Sequence, residues 1–99
     1  MNIVNSTPSE LTITGNIKSI DDYTAIRDQI DKLVSQGIVE ISLKITESFS
    51  MPSSVIGYLL KLKRKEKLRI KIIAGDQRLV TLLQDLSLID EFGVVHKKT

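Results

Sequence analysis

The chain has 99 residues, a net charge of +2, 41% hydrophobic and 26% charged residues, and no cysteine. That is the length and composition of one ordinary globular domain, and it excludes disulfides, thiolate metal sites and cysteine nucleophiles. The charge is too small to imply a nucleic-acid partner by itself, and with only 4% aromatic residues the core must be built from Ile, Leu and Val.

The opening Met1-Asn2-Ile3-Val4-Asn5-Ser6 has neither a basic segment nor a long apolar run. No secretory leader is expected from it. No stretch is apolar enough to span a bilayer, and the lack of cysteine fits a reducing compartment. The expectation is a cytoplasmic protein without direct membrane insertion.

Ile3-Val4 reads as a short first strand, and Asn5 to Ser9 as a turn in which Pro8 bars a central strand. Leu11 to Gly15 alternates apolar and polar residues, the period of a strand with one buried face. Ser19 offers a helix cap, and Asp21 and Asp22 suit the positive end of the helix dipole. Ile20, Tyr23, Ile26, Ile30, Leu33 and Val34 then form one apolar stripe, and Gly37 ends the helix.

Ile38 to Ile45 reads as the next strand and Thr46 to Ser50 as a loop. Met51 precedes a proline and is therefore extended. Ser53 or Ser54 opens a second helix running to about Glu66, with Ile56, Leu59, Leu60 and either Leu62 or Val55 facing inward. Leu68 to Ala74 is a clear strand whose Ile70-Ile72-Ile73 end looks buried. Gly75 breaks it, and Asp76 caps a third helix with Leu79, Leu82, Leu83 and Leu86 inward. Phe92 to Val95 reads as a last strand, and residues 96–99 as a frayed tail. Strands alternating with helices imply parallel strands joined by helical crossovers. The expected fold class is α/β: one domain over residues 1–99 with its core in 11–95, three helices, and a mixed, mostly parallel sheet of four to five strands.

The inventory of reactive groups points away from catalysis. His96 is the one histidine, and it lies in a basic tail. No Ser/His/Asp set and no metal-ligand spacing is visible, so neither a metal nor a cofactor is expected. Gly75-Asp76 lacks the glycine spacing of a phosphate loop, which ranks nucleotide binding lowest. The basic run Lys61, Lys63, Arg64, Lys65, Lys67, Arg69 and Lys71 is the strongest charge feature. Without interleaved aromatics it reads as a solvated helix face and end, with no nucleic-acid partner.

The informative segment runs from Met51 to Leu60. Ser53 and Ser54 stand at a helix start, where either can cap the helix or carry a phosphate held by the first-turn amides. Phe49, Met51, Pro52, Val55 and Tyr58 are more apolar residues than a helix start needs. They read as an exposed partner-binding patch around the two serines, or as a cover over the end of the sheet.

This segment resembles the signature of the STAS domain found in bacterial anti-sigma factor antagonists, Asp-Ser-Ser-Gly-Leu-Gly followed by Leu-Leu. Ser53, Ser54, Gly57, Leu59 and Leu60 match it, and Ile56 stands where the family has Leu. Thr14-Gly15-Asn16-Ile17, Ala25 to Leu33, Leu68 to Ala74, Leu79 to Leu83 and Leu88 to Phe92 resemble the family's other segments in order, so the similarity spans Leu11 to Val95. The resemblance implies a sheet flanked by helices and a non-enzymatic role in a partner-switching cascade that regulates transcription. A serine kinase-type ATPase acting as anti-sigma factor would phosphorylate Ser54, with Ser53 its neighbour, and a phosphatase would reverse it. It equally allows an accessory subunit of an ABC transporter that binds the transporter ATPase without phosphorylation. Pro52, Val55, Lys44, Lys18 and Ser87 depart from the family pattern, which has acidic residues at three of these positions. Lys18 and Lys44 are accordingly candidate contacts for a phosphate or an acidic partner.

Overall fold

The chain builds β1 (Asn2–Thr7), β2 (Glu10–Thr14), α1 (Ile20–Ser35), β3 (Glu40–Ile45), α2 (Ser53–Lys65), β4 (Arg69–Ala74), α3 (Gln77–Asp85) and β5 (Val95–His96). The computed structural model describes residues 1–97. The fold is α/β, with one five-stranded mixed sheet in the order β1-β2-β3-β4-β5. β1 pairs antiparallel with β2, and every other pairing is parallel.

The strand order never reverses. Right-handed crossovers in such an order place every connecting helix on the same face of the sheet. Burial follows that rule. Leu11 and Ile13, then Ile41, Leu43 and Ile45, then Ile70, Ile72 and Ala74 are buried, while their alternate neighbours are not. The helices close the core with Ile26, Ile30 and Leu33 from α1, Val55, Leu59 and Leu62 from α2, and Leu79 and Leu83 from α3. Each such side chain, fully buried, contributes about 1.5–3 kcal/mol. The opposite face carries Val4, Thr12, Lys44, Ile73 and Val95 as one cross-strand row.

Local chemistry explains the helix ends. Ser19 and Asp22 form a reciprocal capping box at α1. The Asp22 carboxylate also accepts the Lys18 amide (3.0 Å), which lowers its pKa. At the other end Gly37 adopts φ +90°, and the Gly37 and Ile38 amides return to Val34 and Leu33 (3.0 and 3.1 Å), a Schellman closure. α3 closes the same way with Ser87 at φ +59°, its amide and that of Leu88 returning to Gln84 and Leu83. A non-glycine residue is strained in that conformation.

Several expected boundaries and burials differ. β1 is six residues long rather than a dipeptide. Asn5, expected in the turn, lies within it, and the Asn5 side-chain amide donates to the carbonyls of Glu10 (3.0 Å) and Thr7 across an irregular register. Ile20, placed in the apolar stripe, is 82% exposed because it is the first residue of α1, before the core. Val39 is 72% exposed, since the Schellman closure occupies the chain until β3 begins at Glu40. Ile73 points to the open face, and Leu86 is exposed where α3 ends. The last strand is not Phe92 to Val95: Phe92 and Val94 are buried in the turn before it. His96, expected in a frayed tail, pairs with Ala74 in β5. Lys98 and Thr99 of that tail lie outside the described residues.

Gly75 has a stricter role than ending a strand. A Cβ there would lie 2.2 Å from the Thr46 carbonyl oxygen, while the Gly75 amide donates to the Ile45 carbonyl (2.8 Å). Backbone meets backbone, so no side-chain adjustment relieves the clash. Gly75→Ala is expected to lose at least about 3 kcal/mol of stability, read as a lower urea midpoint. A midpoint within error of wild type would show that the two loops separate freely.

Candidate functional site

In α/β sheets, the loops leaving the carboxyl ends of parallel strands gather on one edge, where ligands and partners commonly bind. Here these are residues 15–19 after β2, 46–52 after β3 and 75–76 after β4. Ser48 ties the first two together. Its side chain is fully buried, accepts the Ile17 amide (3.1 Å) and donates to the Ser50 carbonyl (2.7 Å). The third loop reaches over through Arg78. Its guanidinium lies 4.6 Å from the centre of the Phe49 ring and grips Asp76 through two hydrogen bonds (3.1 and 2.8 Å). Asp76 also accepts the Arg78 amide as the N-cap of α3 (2.8 Å). The Arg78 side chain, then its amide, hold the Asp76 pKa down to about 2.

The start of α2 is built differently. Pro52 occupies the N-cap position, with φ −59° and ψ 149°, and no side chain caps the helix. Its carbonyl accepts the Val55 and Ile56 amides (3.0 and 3.1 Å). Ser53 and Ser54 therefore sit inside the first turn, beyond the position from which a hydroxyl reaches back to those amides. Both are exposed. The capping role open to them in the sequence is not taken up.

The structure divides the expected partner patch. Phe49 is 43% exposed under Arg78, Pro52 is half-buried, and Ser53 and Ser54 are exposed. These four stand together on the loop and first turn. Met51 and Val55 do not belong with them: both are buried in the core, Met51 from the loop before α2 and Val55 from the inward face of α2. Tyr58 is half-buried one turn further on. Its hydroxyl donates to the Asp31 carboxylate of α1, and burial first, then that hydrogen bond, raise its pKa. Ile56 and Leu60, expected among the inward positions, are half-buried at the edge of the core.

Lys18 is exposed in the β2–α1 loop, next to the Ile17 amide that Ser48 holds. Lys44 is not near it. It projects from β3 on the face opposite the helices, in register with Thr12 and Ile73, so the sheet separates it from the start of α2. Its pairing with a phosphate on Ser54 is ruled out by strand parity. The basic run divides likewise: Lys61, Arg64, Lys65 and Lys67 are exposed on and after α2, while Arg69 and Lys71 stand on the open sheet face. Lys63 donates to the Glu91 carbonyl and Arg64 pairs with Glu91 (3.3 Å).

Nothing in the sequence singles out Ser48 or Arg78, and Asp31 stands out only as a residue off the apolar stripe of α1. A serine in a polar loop, an arginine two residues after a cap and an aspartate on a charged helix face carry no local mark of their partners. Among the described residues, no cluster of acidic and histidine side chains could hold a metal, and no helix is long and apolar enough to cross a membrane. No family model matches the chain, nor does any curated protein or solved structure.

Two measurements test the way this edge is knitted. Ser48→Ala leaves the buried Ile17 amide unpaired and is expected to cost about 1–3 kcal/mol, read by urea unfolding. An unchanged midpoint would mean the loops do not depend on the hydroxyl. The depressed Asp76 pKa makes its carboxylate stabilising above the unfolded value, about 4. That contribution fades as pH falls toward about 2. The stability gap between wild type and Asp76→Asn should therefore be full at pH 6 and close on acidification. A gap constant across that range would remove the charge from the account.

Proposed function

We propose that the chain is a non-enzymatic protein-interaction module of the anti-sigma factor antagonist type, switched by phosphorylation of Ser54. The observation that carries this reading is the pair of exposed serines in an uncapped first helical turn. Their hydroxyls are not spent on capping, and the Ser53 and Ser54 amides, ahead of the Val55 and Ile56 amides that Pro52 accepts, are first-turn donors for which a helix supplies no partner. A phosphate on Ser54 adds about −1.5 to −2 charges and three acceptor oxygens, which those amides and the dipole favour. Lys18 is the candidate cation on the same edge.

The docking surface under this reading is Phe49, Pro52, Ser53 and Ser54, framed by Arg78. It is small, and its apolar parts sit beside the phosphoacceptor. A partner seated there would have to bury a dianion on phosphorylation, which is strongly unfavourable without a matching cation. Release therefore requires no refolding: Ser48, Gly75 and the Asp76–Arg78 pair keep the loops in place while the charge changes. The partner is a serine kinase-type ATPase, with a phosphatase to reset the switch.

The test uses wild type, Ser54→Ala and Ser54→Asp as baits in native extract. All three should unfold within about 0.5 kcal/mol of one another, as surface positions without special contacts do. A kinase-type ATPase should be retained by wild type and Ser54→Ala and lost from Ser54→Asp. Retention of one ATPase by all three, as by a transporter subunit that docks constitutively, would overturn the switch.

A further inference from the structure

The two edges of the sheet are built differently. β5 is two residues long and runs straight into Lys97. A very short strand ending in charge is a usual protection against pairing with another chain. β1 is six residues long, Asn-Ile-Val-Asn-Ser-Thr, with no charged residue and no proline. All of it but Ile3 is exposed, Val4 at 58%. Among the described residues nothing pairs with its outer side.

The hydrogen bonds of the sheet define which backbone groups of β1 face outward. The Ser9 and Ile13 carbonyls accept the Ser42 and Thr46 amides (2.8 and 3.1 Å), so Ser9 and Ile13 face β3. A strand residue points its amide and carbonyl to one side, and that side alternates along the strand. Thr12 and Thr14 therefore face β1, where Val4 and Asn2 stand opposite them. Val4 and Asn2 bond to β2, and the amides and carbonyls of Ile3 and Asn5 point away from the sheet. The Asn5 side chain is engaged within its own hairpin, on the Glu10 and Thr7 carbonyls, and does not cover them.

We infer that β1 pairs antiparallel with β1 of a second copy of this chain, about a two-fold axis through Val4, and joins the two sheets edge to edge. The strand is self-complementary in three ways that a second copy meets. A two-fold axis perpendicular to the sheet keeps the helices of both copies on one side, so only residues of like parity stand opposite each other. Ile3 of each copy opposite Asn5 of the other obeys that rule, and these are the residues whose backbone groups point outward. Val4 then lies on the axis in a non-hydrogen-bonded pair, where side chains come closest, and its exposed side chain meets its own copy. β1 carries no charge, so the axis brings no like charges together. The blunt β5 edge offers no continuation, so the assembly closes at two chains. A single strand pair is smaller than the roughly 1,200–2,000 Å² of a stable complex, which makes this dimer weak and concentration-dependent. The inference is independent of the Ser54 switch.

The test is sedimentation equilibrium of the full chain from about 10 μM to about 1 mM, a range suited to a weak interface. The mass should rise from one chain toward two and stop there. Over the same range amide hydrogen exchange should slow several-fold at Ile3 and Asn5 and stay unchanged in β5. Val4→Lys sets like charges face to face on the axis and should weaken the dimer at least about tenfold. Its urea midpoint should stay near that of wild type, because the position is exposed. Val4→Glu should weaken self-association as much, and an equimolar mixture of the two variants should recover it through opposite charges. Should either variant fail to fold, the wild-type exchange pattern alone decides. One chain mass at every concentration, growth beyond two chains, undiminished association of folded Val4→Lys, no recovery in the mixture, or protection that appears at β5 instead of Ile3 and Asn5 would each overturn the inference.

Discussion

Everything in this fold depends on the sheet having one dry face. Alternate residues of β2, β3 and β4 are buried on the side the helices cover, and the residues between them form a polar, partly exposed surface. Parallel sheets are more often covered on both faces and read as unbroken apolar runs. Here Glu-Ile-Ser-Leu-Lys-Ile in β3 and the Arg-Ile-Lys-Ile start of β4 keep a period of two instead. A one-residue register slip would exchange the two faces completely, so this alternation specifies the pairing as firmly as it specifies the core. It also leaves all three crossover helices packed side by side, with a groove between α1 and α2.

The edge at the carboxyl ends of the strands is held by short-range polar contacts, not by apolar burial. Ser48 joins two loops with one hydroxyl, Gly75 lets a third backbone lie against Thr46, and Arg78 spans from its own cap to Phe49. Against this fixed background the start of α2 is conspicuous for what it leaves uncommitted. Pro52 takes the N-cap position, so neither serine hydroxyl caps the helix and both residues stay exposed. A rigid edge with an uncommitted helix start suits a surface whose charge changes while its shape does not.

Several positions are held at a cost to stability. Lys67 and Ser87 close α2 and α3 in the left-handed conformation that glycine adopts without strain, and Gly57 weakens the middle of α2. The first two are tolerated because each chain reversal is followed at once by a buried leucine, Leu68 and Leu88, whose burial offsets the strain. No such internal compensation accompanies Gly57.

Short-range chemistry was legible in the amino-acid sequence. The α/β class, the order of elements, the capping role of Ser19 and Asp76, and the helix stop at Gly37 all follow from periodicity and from contacts within a few residues. The sequence by itself determined the order of strands and helices, and that the core is aliphatic, while the extents of β1 and β5 were settled by their pairing partners. Tertiary structure alone decided the rest. Met51 and Val55 became core, Lys44 was carried to the far side of the sheet from Ser54, Tyr58 found Asp31, and Ser48 became the buried tie between two loops. Those outcomes depend on groups about thirty residues apart in the chain and on which face of a strand meets the helices. A periodic pattern marks a residue as inward or outward relative to its own element, but what it then meets is set by the packing of elements distant in sequence.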